Sequence, residues 1–133
     1  MEEYLKQLNS AQREAVTTTE GPVLVIAGAG SGKTRVIEHR VTHLIEKGVS
    51  PEKILLLTFT RRAAEEMLKR ASRMNPQAER VRGGTFHSFA YKILRKYGEV
   101  LGIPKAFSVL DEGDAEEAVH RAATQLGCYD ADS

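Results

Sequence analysis

The stretch Pro22-Val23-Leu24-Val25-Ile26-Ala27-Gly28-Ala29-Gly30-Ser31-Gly32-Lys33-Thr34 decides the fold expected of this chain. Its beginning, Pro22–Ala27, is apolar and rich in β-branched residues, a pattern typical of a strand covered on both faces in a parallel sheet. A glycine-rich turn follows. Apolar residues then recur at helical spacing from Lys33 to about Lys47, and Gly48 supplies a stop. We therefore expect a strand, a loop and a helix in succession.

The glycine-rich turn has the composition of a phosphate-binding loop. Glycines allow successive backbone N–H groups to point at phosphate oxygens, and a helix N-terminus adds partial positive charge. Lys33 would reach the β- and γ-phosphates, and the Thr34 hydroxyl would ligate Mg²⁺. The pattern G-x-x-x-x-G-K-[ST] fails only at its first position, where Ala27 stands. A glycine-rich turn with an incidental lysine is the alternative, and the loop alone does not distinguish kinases, GTPases, ATPases and motors.

Two more strand-then-helix units follow along the chain. The apolar run Ile54–Phe59 predicts a strand, and a helix is expected from about Arg62 to Met74, where Asn75-Pro76 ends it. A weaker strand signal at Arg80–Phe86 precedes a helix expected from about Ser88 to Tyr97. Three such units imply a parallel α/β sheet with right-handed crossovers.

The pattern changes after Gly98, so we place a boundary near residues 88 to 100. The stretch from Asp114 to Leu126 predicts one acidic helix, with Asp111 or Asp114 as its cap. The preceding Phe107–Glu112 has the apolar-then-Asp-Glu form of a Walker B strand, whose acid would hold Mg²⁺. Because the run is short and leads into an acidic helix, a cap is the preferred role for Asp111.

Length and composition indicate one soluble domain. The chain has 133 residues, 41% of them hydrophobic, and it lacks an apolar run near the ~20 residues of a membrane span. The N-terminus lacks the pattern of a secretory signal, and the single Cys128 cannot form an intrachain disulfide. We therefore expect a cytoplasmic protein with no membrane partner.

Charge is distributed unevenly along the chain, although the net charge is only +1. Residues 1–105 carry 18 Lys and Arg against 11 Asp and Glu, whereas residues 106–133 carry one Arg against seven acids. The basic part could attract a polyanion, but a charge run is as often only a solvated face.

The first of three further motifs carries a family resemblance. Leu8–Val16, with sequence LNSAQREAV, resembles the Q-motif that opens superfamily 1A DNA helicases of the UvrD/Rep type. The resemblance assigns the Gln12 amide to the adenine edge, although Asn9 and Gln12 are also a capping-box pair that starts a helix. Arg35 matches a family position near the base, and its alternative is an ordinary solvated helix arginine.

Two motifs at strand ends extend the resemblance to DNA contacts. Thr58–Met67 resembles motif Ia, which implies that Phe59 is a platform for a base of single-stranded DNA and that Thr60, Arg61 and Arg62 contact phosphates. The alternative is that Phe59 is the last core residue of its strand. The family commonly has Asn-Lys where Arg61-Arg62 stands. Gly84–Ser88 resembles motif Ib, which implies a DNA contact for His87; a structural histidine is the alternative.

The resemblance implies an incomplete RecA-like P-loop NTPase fold, a parallel sheet flanked by helices, followed by the start of a helical insert subdomain. Residues 1–90 would be the N-terminal part of the first RecA-like domain, and residues 91–133 would begin the insert. The implied catalytic residues are Lys33 and Thr34, with Thr34 also on Mg²⁺. The implied ATP-binding residues are Gln12, Ala27, Gly28, Ala29, Gly30, Ser31, Gly32, Lys33, Thr34 and Arg35.

By this resemblance the chain is an N-terminal fragment of an ATP-dependent DNA helicase, a hydrolase of DNA repair, that moves 3′ to 5′ on single-stranded DNA and unwinds duplex. The fragment alone is expected to be inactive, because the family places its Walker B acids and arginine fingers later. It is also expected to self-associate, by pairing of its open first strand, by swapping of its terminal helix or by aggregation. The helicase subunit of a recombination helicase-nuclease and a P-loop phosphotransferase are the alternatives.

Overall fold

The computed structural model describes residues 1–30 and 32–128, which form an α/β structure with a two-stranded parallel sheet. The strands are β1, Leu55–Thr58, and β2, Arg82–Thr85. The helices are α1 Glu3–Lys6, α2 Ser10–Thr17, α3 Lys33–Glu46, α4 Arg61–Met74, α5 Phe86–Tyr97 and α6 Glu112–Gln125. Short 3-10 turns span Pro51–Lys53, Pro76–Arg80 and Gly98–Leu101.

The two strands pair in the order and direction that the sequence predicts. Leu55 lies opposite Arg82, and Thr58 lies opposite Thr85, so both strands end at the same edge of the sheet. Helix α4 connects them and packs on β2 at Gly83, where an added Cβ would lie 2.7 Å from Leu68 Cδ1. A strand, a helix and a parallel strand are thus confirmed for residues 55–85.

The strand predicted at Pro22–Ala27 is wrong. The segment has no regular secondary structure, and Leu24 and Ile26 are 84% and 89% exposed. Val23 and Val25 are only half-exposed, so the exposed fraction alternates from residue to residue as it does in an extended chain, although no sheet is formed. An apolar strand is stabilised by ladder hydrogen bonds and by cover on its faces, and among residues 1–30 and 32–128 no strand pairs with this one.

Two hydrophobic cores fix α3, which packs against α2 and against α4. The smaller core joins α1, α2 and the start of α3, and its buried members are Leu5, Leu8, Val16 and Val36. The larger core joins the rest of α3 to α4 and the sheet, and its buried members are Val41, Ile45, Ile54, Leu56, Ala71, Ala78 and Val81. Arg70 on α4 also donates to buried Glu38 on α3 at 3.2 Å.

The chain divides into two compact units between Lys92 and Ile93. In the second unit, Phe107–Leu110 is not a strand, and the Asp111 carboxylate accepts the backbone N–H of Asp114 at 2.8 Å. Asp111 therefore caps α6, as the sequence favours over a Walker B role. Within the described residues, no helix has the length and apolar character needed to cross a membrane.

Candidate functional site: a phosphate loop and an aromatic sheet edge

The glycine-rich loop leads directly into α3, as predicted. Gly30 and Gly32 have φ angles of 76° and 83°, a left-handed conformation that glycine adopts without a steric penalty. Lys33 is the first residue of α3 and is exposed, and Thr34 beside it is partly buried. Ser31, which the sequence assigns to the same loop, lies outside the described residues.

The N-terminus of α3 differs from those of the other long helices in its capping. Asn9, Thr60 and Asp111 cap α2, α4 and α6 with side-chain oxygens, whereas Gly32 precedes α3 and no side-chain cap bond is made there by the described residues. The first N–H groups of a helix have no intrahelical partner. The loop therefore presents backbone donors and the positive end of a helix dipole at one place.

The Q-motif glutamine contacts this loop. Oδ1 of the Asn9 side chain accepts the backbone N–H of Gln12 at 2.9 Å, and Oε1 of the Gln12 side chain accepts the backbone N–H of Asn9 at 3.0 Å. The predicted capping box is therefore confirmed. The other end of the Gln12 amide, Nε2, lies where a Cβ on Gly32 would be only 2.7 Å away. Position 32 therefore favours glycine because of its positive φ angle, and the absence of a side chain there leaves room for the Gln12 amide.

Arg35 has a partner that the sequence did not suggest. Its Nη2 donates to Oε1 of the Gln7 side-chain amide at 3.0 Å, although both side chains are exposed. Gln7 precedes the recognised motif and is 28 residues from Arg35 in sequence, so no local pattern could have found it. Of the remaining loop positions, Ala27 ends the unpaired apolar segment Pro22–Ala27, and Gly28 and Ala29 connect that segment to the Gly30 turn.

An aromatic pair stands at the edge where both strands end. Phe59 follows Thr58, Phe86 follows Thr85, and the two ring centroids are 5.8 Å apart at an interplanar angle of 46°. Phe59 is 91% exposed and Phe86 is 50% exposed. The alternative that Phe59 is a core residue is therefore wrong. Phe86 is a further candidate for a DNA contact, which the sequence analysis did not single out although Phe86 lies within the motif Ib stretch Gly84–Ser88.

Polar residues surround this pair, and several have structural roles. Thr60 caps α4 by accepting the backbone N–H of Ala63 at 3.1 Å. Arg61 is exposed, and Arg62 forms an exposed ion pair with Glu66 at 3.1 Å.

The motif Ib residues beside β2 include both a helix cap and an exposed histidine. Ser88 and Thr85 exchange side-chain and backbone hydrogen bonds at 3.1 Å, which begins α5 beside Phe86. His87 is exposed next to them. The structure therefore places Phe59, Phe86, Arg61 and His87 near one sheet edge.

Comparison with known proteins identifies the family of this chain and several of its relatives. A model of the UvrD/REP helicase N-terminal domain family matches residues 8–131. The ATP-dependent DNA helicase PcrA of Staphylococcus aureus (strain Mu50) is 46% identical over 121 residues, covering 90% of this chain and 17% of that protein. PcrA of Staphylococcus epidermidis (strain ATCC 12228) gives the same identity and coverage.

The match spans nearly the whole chain, although the chain spans only 17% of the length of these curated relatives. It includes the phosphate loop, the Q-motif and both residues of the aromatic pair. On the extent of the family match, the chain belongs to the UvrD/REP helicase N-terminal domain family.

Proposed function

We propose that this chain supplies the nucleotide-binding site and part of the DNA-binding surface of an ATP-dependent DNA helicase. The observation that carries the proposal is the contact between Gln12 and Gly32, because it unites a base-recognition candidate with a phosphate loop. In the whole protein, ATP hydrolysis would drive 3′-to-5′ movement on single-stranded DNA and duplex unwinding. The names of the relatives, both ATP-dependent DNA helicases, support the reaction class.

The loop fits a nucleotide triphosphate by its chemistry. The left-handed glycines and the start of α3, which no side chain of the described residues caps, offer backbone N–H donors to phosphate oxygens, and Lys33 adds an exposed positive charge. Thr34 would ligate Mg²⁺, which would neutralise charge on the phosphates. Gln12 would bind the adenine edge through its side-chain amide. Its Nε2 is a donor, and its Oε1, which already accepts the Asn9 N–H, has a second lone pair that can accept another hydrogen bond.

The chain's own residues favour binding over turnover. Nucleotide hydrolysis needs carboxylates that order the metal and the attacking water, and an arginine that stabilises the transition state. The family resemblance places those carboxylates and that arginine elsewhere in the parent protein. We therefore propose that steady ATP turnover requires sequence other than these 133 residues.

The aromatic sheet edge is the proposed contact for single-stranded DNA. A base stacks on an exposed ring whatever its identity, and nearby cations bind the backbone phosphates. Phe59 offers such a ring, and Phe86 lies against it. Thr60, Arg61 and Arg62 would contact phosphates and His87 would contact the DNA, since they lie at the starts of the helices that follow the two strands.

The domain organisation is proposed on the same basis. Residues 1–90 would be the N-terminal part of a RecA-like domain, and residues 91–133 would begin a helical insert. The separation of two compact units between Lys92 and Ile93 supports this division.

The deciding experiment is an ATPase assay of the full-length gene product with and without single-stranded DNA. We expect strong stimulation by single strands and its loss in Lys33→Ala, with Lys53→Ala as a matched exposed-lysine control. Phosphoryl transfer to a small acceptor, without stimulation by DNA, would contradict the proposal and favour a phosphotransferase.

A further inference from the structure

Gln12 and the start of the Arg35 side chain lie near Gly32, the last glycine of the phosphate loop. A Cβ on Gly32 would lie 2.7 Å from Gln12 Nε2 and 4.0 Å from the Cβ of Arg35. The Arg35 guanidinium, in turn, donates to Gln7 at 3.0 Å. Gln7 is thus connected to the loop through Arg35, although it lies outside the family motif.

The backbone at Gln7 is fixed, although its side chain is exposed. Its neighbours Leu5 and Leu8 are 8% and 4% exposed and belong to the smaller core. Arg13 donates to the backbone carbonyl of Leu5 at 3.4 Å and to that of Leu8 at 3.0 Å. The turn that carries Gln7 is therefore held by apolar packing and by a guanidinium clamp.

The backbone at Arg35 is fixed as well. His39 bonds the Arg35 carbonyl through Nδ1 at 2.7 Å, and the next residue, Val36, is 6% exposed. The arginine side chain beyond this point is long and exposed, so it has considerable rotamer freedom of its own. A hydrogen bond from a fixed turn reduces that freedom before any ligand binds.

The hydrogen bond leaves the stacking surface of Arg35 uncovered. Guanidinium N–H groups lie in the plane of the group, so a bond to Gln7 occupies an edge and not a face. A guanidinium face is a surface on which a purine ring can stack. We propose that Gln7 is a positioning residue that holds Arg35 for stacking on the nucleobase and so sets the affinity for the base; this inference rests on the proposed ATP site.

The test compares ATP with tripolyphosphate, which carries the phosphates without a base, by calorimetric titration of this chain in the presence of Mg²⁺. We expect Gln7→Ala to weaken ATP about twofold to fivefold, the range of one exposed hydrogen bond, and to leave tripolyphosphate unchanged. Gln7→Glu retains an acceptor for Arg35 and should restore the ratio of the two affinities. Lys6→Ala, an exposed change at the preceding residue, should leave that ratio unchanged.

A double-mutant cycle identifies the route of the effect. If Gln7 acts through Arg35, Gln7→Ala has no further effect on ATP affinity in an Arg35→Ala background. A further loss there, an equal loss for ATP and tripolyphosphate, or no loss at all would overturn the inference. Failure of the proposed function is recognised separately, because Lys33→Ala would then leave both ligands bound as tightly as before.

Discussion

Two apolar stretches of similar composition have opposite structures in this protein. Leu55–Thr58 is strand β1, whereas Pro22–Ala27, the unpaired apolar segment, is exposed and irregular. Leu56 is 7% exposed and Leu24 is 84% exposed. The difference lies in the neighbours: β1 has β2 beside it and α4 packed against it, whereas among residues 1–30 and 32–128 no strand lies beside the segment. An apolar run becomes a strand only where the chain supplies a partner.

The largest expected effect tests this comparison directly. Leu56→Ala should lower the free energy of unfolding by about 2–4 kcal/mol, because it removes buried methyl groups and leaves a cavity. Leu24→Ala, the matched leucine substitution in the unpaired segment, should change it by less than about 0.5 kcal/mol. Chemical denaturation of the 133-residue chain measures both. Equal losses would mean that the segment is packed in solution.

The second prediction separates a ring used for binding from a ring used for packing. Phe59→Ala should weaken single-stranded DNA binding by about 1–3 kcal/mol at every salt concentration, because a base loses its stacking platform. Phe59→Leu keeps apolar volume without a flat ring, so its binding should fall nearly as far. Arg61→Ala should instead make the DNA affinity less dependent on salt concentration, because one phosphate contact is lost. Fluorescence anisotropy with a labelled oligonucleotide measures affinity, and thermal unfolding provides the control for stability. A loss of stability without a loss of DNA affinity would contradict a binding role for Phe59.

The third prediction concerns what the unpaired segment does when it has no partner. Exposed apolar chain in an extended conformation pairs readily with other chains, so we expect this chain to self-associate at tens of micromolar. Ile26→Lys should shift sedimentation toward the monomer. Val100→Lys, at a residue that is 87% exposed in a 3-10 turn, is the matched control and should not. A wild-type chain that sediments as a monomer would contradict the prediction.

The smallest effect belongs to the packed side of the comparison, where α1 contacts α3. The Tyr4 hydroxyl lies 2.8 Å from His43 Nδ1. Burial is the main cause that lowers the pKa of His43 below its usual 6.5, and the nearby charges of Lys47 and Arg40 lower it further. The carboxylate of Glu2 acts in the opposite direction and raises this pKa. Because the folded state then binds fewer protons than the unfolded state, this contribution to stability is complete above about pH 6.5 and is lost as the pH falls from there through the lowered pKa of the folded state.

Denaturation at pH 7.5 and at pH 5.5 checks this expectation. The wild-type chain should be less stable at the lower pH, and His43→Gln should reduce the difference. His87→Asn, which replaces an exposed histidine, should keep the wild-type difference. An unchanged pH dependence in His43→Gln would show that other groups carry it.

The sequence by itself determined the local structure and the motifs. Helix α3 beginning at Lys33, the capping box of Asn9 and Gln12, and the cap at Asp111 all follow from short-range rules of spacing and hydrogen bonding. The family resemblance also rested on short stretches, and the match over residues 8–131 confirms it.

Only the tertiary structure decided which apolar runs are paired and which distant side chains meet. The unpaired segment has the pattern of a buried strand, but pairing depends on residues elsewhere, and composition does not reveal whether they are present. Likewise, Gln7 reaches Arg35, and Phe59 lies against Phe86, because parallel strands and packed helices bring together residues 27 or 28 positions apart. Local patterns report on neighbours within a few residues, whereas these contacts depend on packing across the whole unit.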